Sequence, residues 1–117
     1  MQSRSTTEVI DRFNEAFQRH EPAILEDLIA DDCVLENTTP APDGARHEGR
    51  AACLAVWQSI AAAPDIRFDL EQVDVMGERA IIRWRLHWGT ETSVRGVNLM
   101  RVRHGQIVEG LGYVKGT

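Results

Sequence analysis

Arg85 and His87 are the two side chains of this sequence that we consider first as catalytic groups. They lie two positions apart in a segment of alternating residues, so both would project from the same face of a β-strand. A histidine can act as a general base near neutral pH. The other three histidines, His20, His47 and His104, fall in predicted turns, and we expect them to be exposed. Whether His87 acts in this way depends on which face of the strand lines a ligand site.

Other kinds of active site leave no signature in the sequence. No spacing of His, Cys, Asp or Glu is typical of a metal site, and there is neither a glycine-rich phosphate loop nor a Ser-His-Asp signature. Any chemistry is therefore expected to proceed without a cofactor. The two cysteines, Cys33 and Cys53, are predicted to be reduced and buried, because the N-terminal residues lack the apolar core of a secretory signal. The same feature predicts a cytoplasmic location.

Length and charge narrow the range of partners. The 117 residues predict one domain, spanning 1–117, that is long enough to bury a single core. A net charge of −5 argues against nucleic acid, because binding to phosphates needs clustered Lys and Arg. No apolar run approaches the ~20 residues that span a bilayer, so we expect no association with a membrane. A small molecule is the expected ligand.

Three helices are predicted, all before residue 65. The first is capped by Thr6 or Thr7 and buries a stripe at helical spacing. This stripe consists of Val9, Ile10, Phe13, Ala16 and Phe17. A short second helix begins at Pro22 and ends near residues 30–32. After a strand at 33–37 and a proline-containing loop at 38–46, a third helix with a broad apolar face begins near residues 48–50, and Pro64 ends it.

Long strands follow the helices. Alternation of apolar and polar residues predicts strands at 66–76 and 80–88 and a long hairpin at 92–115 that turns at His104-Gly105. In the last strand Gly110 and Gly112 leave one face without side chains, as at a close approach of another group. The predicted class is α+β, with three N-terminal helices packed on a strongly curved, mostly antiparallel sheet. Such a cone encloses a hollow, which is the natural ligand site.

Several strings, taken in this order, resemble the nuclear transport factor 2-like superfamily and its SnoaL-like and ketosteroid isomerase-like branch. They are the Phe13…Phe17 helix, the string at 28–34 (LIADDCV), the helix start at 48–52 (EGRAA) and the hairpin strings at 95–98 (RGVN) and 103–109 (RHGQIVE) with Tyr113. The resemblance covers about residues 7–114 and implies a cystatin-like α+β roll. It implies no single reaction, because this fold hosts many functions.

The isomerases resembled place a carboxylate base, a tyrosine and a protonated aspartate around the substrate. In this chain the resemblance puts Asn37, Phe13 and Asn98 at these positions. An amide cannot abstract a proton at neutral pH and Phe13 has no donor, so we expect no isomerisation by that mechanism. Glu36 is no simple substitute, because its side chain should point to the opposite face from Asn37.

The epoxide hydrolases resembled use an Asp-Arg-Asp set with a tyrosine and an asparagine. Asn37 and Arg85 match two of these positions, whereas His87, Leu35 and Gly112 stand at the other three. A divergent hydrolase or polyketide cyclase that uses His87 as the base is the catalytic hypothesis that the resemblance leaves open.

The strand at 80–88 allows two interpretations of which of its faces lies inside the cone. Its hydrophobic pattern places Ala80, Ile82, Trp84, Leu86 and Trp88 on the apolar, helix-facing side. The resemblance places the opposite face, with Arg85 and His87, inside the cone and leaves Trp84 and Trp88 for the interface of a homodimer formed through the sheet. We favour the second interpretation, with Arg85 and His87 inside the cone.

The sequence thus predicts a small-molecule-binding SnoaL-like protein, homodimeric through its sheet. Arg85 and His87 are its candidate catalytic residues, and the candidate ligand-binding residues are Asn37, Asn98, Phe13, Phe17, Trp57, Met100 and Gly112. One hypothesis is a cofactor-free isomerase, cyclase or hydrolase that acts on an apolar substrate. The other is a non-catalytic ligand-binding or dimeric interaction module without the family's catalytic carboxylates. A continuous pocket lined by Asn37, Asn98 and His87 would favour the first hypothesis, and a pocket filled by aromatic side chains the second.

Overall fold

The computed structural model describes residues 4–116. Two α-helices, one 3-10 helix and six strands follow each other along the chain. They are α1 (Thr6–Gln18), the 3-10 helix (Pro22–Asp27), β1 (Ile29–Glu36), β2 (Arg46–Glu48), α2 (Arg50–Ala62), β3 (Ile66–Met76), β4 (Arg79–Trp88), β5 (Thr92–Arg103) and β6 (Gln106–Val114). The strands form one sheet in the order β2-β1-β6-β5-β4-β3. Strands β1 and β6 pair in parallel, and every other pairing is antiparallel.

The structure confirms the expected α+β class, with helices on one face of a curved and mostly antiparallel sheet. The helices are not all N-terminal to the sheet, because α2 follows β1 and β2, and one of the three is a 3-10 helix. Among the helices of residues 4–116, none has the length and apolar character needed to cross a membrane.

The N-cap of α1 lies one residue before the predicted caps, Thr6 and Thr7. Ser5 is the N-cap: its hydroxyl accepts a hydrogen bond from the Glu8 N–H, while the Glu8 carboxylate accepts one from the Ser5 N–H. The pKa of Glu8 is lowered, first by the hydrogen bond that its carboxylate accepts from the Ser5 N–H, which favours the ionised form. The predicted stripe of α1 is buried as expected.

The segment after α1 differs most from the prediction. The 3-10 helix ends at Asp27, and Ile29 already belongs to β1, where it pairs with Ile107 of β6. The hydrogen bond from the Ile107 N–H to the Leu28 carbonyl, at 2.7 Å, draws this segment into the sheet. Strand β2, within the predicted loop and helix start, was missed, because three exposed or half-buried polar residues show no hydrophobic pattern.

The final hairpin turns at the predicted dipeptide. His104 and Gly105 both have positive φ, 53° and 74°, as a two-residue turn of the right twist requires. The register between β5 and β6 shifts next to Val102, which pairs with Ile107, whereas Met100 pairs with Gly110. This β-bulge changes the parity of β6, so Ile107 and Gly110 both belong to the buried face instead of opposite faces.

Tryptophan rings cover the glycines of the inner sheet face. A Cβ added to Gly96 would lie 2.4 Å from the ring of Trp84, and one added to Gly110 would lie 2.6 Å from the ring of Trp57. Both distances are too short for a side chain, so these glycines let the indole rings lie directly on the backbone. The two rings therefore form walls of the space between sheet and helices.

Candidate functional site

A cavity of about 270 Å³ lies between the inner face of the sheet and the helices. Its walls are mainly apolar and aromatic. The rings of Phe13 and Phe17 lie 4.8 Å apart, and Phe13 meets Trp57 edge-on at 5.1 Å. Phe68 continues this aromatic lining toward Trp84, with ring centroids 5.5 Å apart. The aromatic side chains thus surround the hollow without filling it.

Six of the predicted ligand-binding residues line this cavity. They are Asn37, Asn98, Phe13, Phe17, Trp57 and Gly112. The seventh, Met100, does not line it and is completely buried. The reason is local: Met100 pairs with Gly110, and the Trp57 indole that lies on Gly110 covers this part of the sheet.

The predicted placement of Arg85 and His87 inside the cone is wrong. The cavity is lined by Ile82, Trp84 and Leu86, the other face of β4. Pairing between β4 and β5 runs without a shift from Arg79↔Arg101 to Trp88↔Thr92. No bulge therefore changes the parity of β4, and the hydrophobic pattern alone decides which face is inside.

On the outer face of the sheet, Arg85 and His87 take part in surface contacts. His87 Nε2 lies 2.8 Å from Asp69 Oδ2, and Arg85 donates to the Ser93 hydroxyl at 3.0 Å. The pKa of Asp69 is held below its ordinary value, first by the hydrogen bond from Arg67 and then by that from His87. His87 is thus engaged with a surface carboxylate and does not reach the cavity.

The amide of Asn98 has a fixed orientation. Its Oδ1 accepts a hydrogen bond of 3.1 Å from the indole N–H of Trp84. Because an indole nitrogen can only donate, the oxygen must face Trp84 and Nδ2 is left to donate elsewhere. Asn98 lines the cavity, so what it offers a ligand is an N–H donor.

Asn37 is oriented in a similar way at the end of β1. Its Oδ1 accepts a hydrogen bond of 2.8 Å from the backbone N–H of Thr38, which again leaves Nδ2 as the free donor. The loop behind it is closed tightly, because the Asn37 N–H donates to the Ala45 carbonyl at 2.9 Å. A Cβ at Gly44 would lie 1.7 Å from the Asn37 carbonyl oxygen, so only glycine allows this closure.

Two polar residues of α1 that were not among the predicted site residues also line the cavity. Asn14, which is 7 % exposed, and Gln18 stand one turn apart and contribute to the same wall as Phe17. The signal in the sequence was the position of Asn14, four residues after Ile10 and three before Phe17, within the buried stripe. A polar residue within an apolar stripe is unusual enough to mark a site.

Glu36 is the one ionisable residue among those that line the cavity within residues 4–116. Its carboxylate lies 2.9 Å from Arg46 Nη1 in an ion pair, although Glu36, like Asn37, is among the residues that line the cavity. In the same part of the chain, no group of three or more His, Cys, Asp or Glu residues could hold a metal ion. The cavity is therefore defined by amides and aromatic rings.

Both cysteines are buried and free, next to the base of β1. Cys53 Sγ donates to the carbonyl oxygen of Cys33 at 3.4 Å. Burial raises the pKa of both thiols, because a thiolate would lose its hydration. Both side chains are therefore neutral thiols at physiological pH. The cytoplasmic location stays a prediction.

Comparison with known proteins gives a consistent family. A family model described as SnoaL-like domain matches residues 10–110. A crystal structure of an NTF2-like protein of unknown function from Mesorhizobium loti is 60% identical, with a TM-score of 0.90 over 95% of this chain and 91% of that chain. No curated protein matches the sequence.

More distant structures share the fold. A putative ketosteroid isomerase from Kribbella flavida is 19% identical, with a TM-score of 0.80 over 96% of this chain and 78% of that one. A putative polyketide cyclase from Sinorhizobium meliloti is 21% identical, with a TM-score of 0.74 over 90% of this chain and 93% of that one. At these identities the likeness concerns the fold alone.

Proposed function

The chain belongs to the SnoaL-like domain family, and we propose that it binds a neutral, mostly apolar small molecule that carries a hydrogen-bond acceptor. The observation that carries this proposal is the fixed Asn98 amide in a mainly apolar cavity of about 270 Å³. A few placed polar groups in an apolar hollow are typical of small-molecule sites. The ligand would accept a hydrogen bond from Asn98 Nδ2, with Asn37 Nδ2 as a second donor.

The composition of the cavity wall favours binding over acid–base catalysis. Asn37, Phe13 and Asn98 occupy the positions where the isomerases resembled keep ionisable groups, and none of these side chains titrates at neutral pH. Glu36 is paired with Arg46, and His87 lies on the outer face of the sheet. These contacts support a ligand-binding protein, with isomerase, cyclase or hydrolase turnover as the rival outcome.

Calorimetric titration with two ligands of the same shape tests the proposal. Tetralin is a bicyclic hydrocarbon, and α-tetralone adds one carbonyl acceptor to it. One hydrogen bond to Asn98 should make the ketone bind about fivefold tighter, from a net gain of ~1 kcal/mol. Asn98→Leu should abolish this preference and leave the affinity for tetralin within about twofold.

The outcomes separate the hypotheses. If neither compound binds, the binding proposal is wrong. If both bind equally well to the native protein, Asn98 does not recognise an acceptor. If the native protein converts a ketone or epoxide of this size and Glu36→Gln stops the reaction, the catalytic alternative replaces the proposal.

We also propose that the protein forms a homodimer through the outer face of its sheet. Tyr113 pairs with Val97 on this outer face and is 52% exposed, which is unusual for a large aromatic side chain of an isolated molecule. Sedimentation velocity of the native protein and of Tyr113→Glu tests this. A dimer that the substitution dissociates supports the proposal, and a monomeric native protein at all concentrations contradicts it.

A further inference from the structure

Asn14 is the polar side chain whose surroundings the fold itself does not explain. It stands on α1 with 7 % of its surface exposed, and it is the one buried polar residue of the described chain. Within residues 4–116 its amide takes part in none of the side-chain hydrogen bonds, and its polar atoms are not among the unpaired atoms that are sealed from water, so they lie at the surface of the cavity. Its neighbours on the helix, Phe13 and Phe17, belong to the aromatic cluster. The amide therefore meets the cavity and nothing else.

An amide in this place contributes less to the stability of the empty protein than an apolar side chain would. Buried amides normally form hydrogen bonds with the protein, whereas this one can pair only with water in the cavity. Asparagine also has a lower helix propensity than leucine, which would continue the stripe of Ile10 and Phe17. Residues that break a local rule in this way are expected where a ligand supplies what the fold lacks.

We propose that Asn14 binds a second polar group of the ligand, a hydroxyl or an amide, from the helix side of the cavity. This inference rests on the proposed function and extends it to the class of ligand. The oxygen of Asn98 already accepts a hydrogen bond from Trp84, whereas no protein group bonds to either end of the Asn14 amide. Asn14 is therefore the amide with an unshared acceptor for a hydroxyl of the ligand.

The two amides come from opposite walls of the cavity, Asn98 from the sheet and Asn14 from the helix layer. Among residues 4–116 neither Arg nor Lys lines the cavity, so an anionic ligand would meet no cation from them there. The ligand class is therefore a neutral molecule with an apolar body and two polar ends, a carbonyl directed to the sheet and a hydroxyl directed to α1.

Calorimetry with three related probes tests this inference. They are tetralin, α-tetralone and a tetralone that carries a hydroxyl on its other ring. With the native protein, the hydroxylated ketone should bind about fivefold tighter than α-tetralone, the gain of one hydrogen bond. Asn14→Leu should remove this second gain and leave the preference for α-tetralone over tetralin unchanged. Asn14→Ala, which cannot clash with the aromatic rings, serves as the second variant should the leucine disturb folding.

Thermal unfolding of the ligand-free proteins separates a ligand-binding role of Asn14 from a structural role, because the two roles predict opposite changes in melting temperature. Asn14→Leu should raise the melting temperature, because it replaces an unpaired amide by an apolar side chain. A lower melting temperature together with unchanged affinity for all three probes would overturn the inference and make Asn14 a structural residue. If the ketone preference at Asn98 is present but the hydroxyl gives no gain, this inference fails while the proposed function stands. If no probe binds, both fail.

Discussion

The hydrogen bond between Trp84 and Asn98 gives the sharpest test of how this cavity selects its ligand. Trp84→Phe keeps an aromatic ring in the wall but removes the indole N–H that holds Asn98 Oδ1 at 3.1 Å. An unpaired, part-buried acceptor costs roughly 1–3 kcal/mol, and the smaller ring adds a void worth about 1 kcal/mol. We expect Trp84→Phe to lower the free energy of unfolding in urea by about 2–4 kcal/mol.

Ligand selectivity should change as well as stability. In the native protein the Asn98 oxygen already accepts from the Trp84 indole and Nδ2 is the free donor, so α-tetralone should bind better than α-tetralol, whose hydroxyl proton would have to share that oxygen. Without the indole N–H, Asn98 can turn its oxygen toward the cavity and accept from the alcohol. The ratio of ketone to alcohol affinity should therefore fall about fivefold, equivalent to one neutral hydrogen bond.

Two controls make the result decisive. Trp88→Phe removes the same atoms from an exposed ring and should change stability by less than about 0.5 kcal/mol, with no change in selectivity. In an Asn98→Leu background, Trp84→Phe should cost about 1 kcal/mol less than in the native protein, because the acceptor is already gone. An unchanged ketone-to-alcohol ratio in Trp84→Phe would refute the reasoning that the indole sets the orientation of the amide.

Three further predictions follow from glycine contacts and from a buried thiol. Gly110→Ala places a Cβ 2.6 Å from the Trp57 ring, so it should cost about 1–3 kcal/mol of stability in urea titrations and weaken α-tetralone binding by shifting that wall. Gly44→Ala should cost more stability than Gly49→Ala. Both glycines have positive φ, 79° and 94°, but only at Gly44 would the added Cβ meet backbone, 1.7 Å from the Asn37 carbonyl oxygen. Equal losses on thermal unfolding would contradict this prediction. Burial raises the pKa of Cys33 above its ordinary value of 9.0, so the unfolded chain loses the thiol proton at a lower pH than the folded protein does. The free energy of unfolding should therefore fall as the pH rises above about 9. Cys33→Ala should flatten this pH dependence in urea titrations.

The long strands could be predicted from the sequence because their alternation is long enough to exclude a helix. The bounds of β3 and the turn at His104-Gly105 agree with the structure. The start of β1 was not predictable, because Ile29 joins the sheet through β6, a partner almost eighty positions away in sequence. Short elements such as β2 carry too few residues to show a period.

The residues that line the cavity could be predicted where family position and side-chain chemistry agree. The prediction was wrong where family position alone was used. Asn37 and Asn98 line the cavity, as both arguments require. For β4 the hydrophobic pattern favoured Trp84 inside, and the resemblance favoured Arg85 and His87. The pattern was right. Burying an arginine and a histidine against apolar helices while exposing tryptophan would cost free energy, whereas the correspondence with a related family takes no account of that cost. Asn14 was missed although its place within the apolar stripe of α1 can be read from the sequence; that its amide lies at the cavity is seen only in the structure.

The chemistry of this wall also predicts how ligand binding depends on pH. Amides and indoles do not titrate, and the one carboxylate among the lining residues, Glu36, already pairs with Arg46 at 2.9 Å. The affinity for α-tetralone should therefore vary by less than about twofold between pH 5.5 and pH 8.5, whereas a site that depended on a histidine would change near pH 6.5. His87→Ala is the matched variant, and it should leave both the affinity and its flat pH profile unchanged, since its ring lies on the outer face, 2.8 Å from Asp69. A change in affinity centred near pH 6.5 that disappears in His87→Ala would mean that the outer face of β4 controls the cavity, and the assignment of recognition to fixed amides would have to be abandoned.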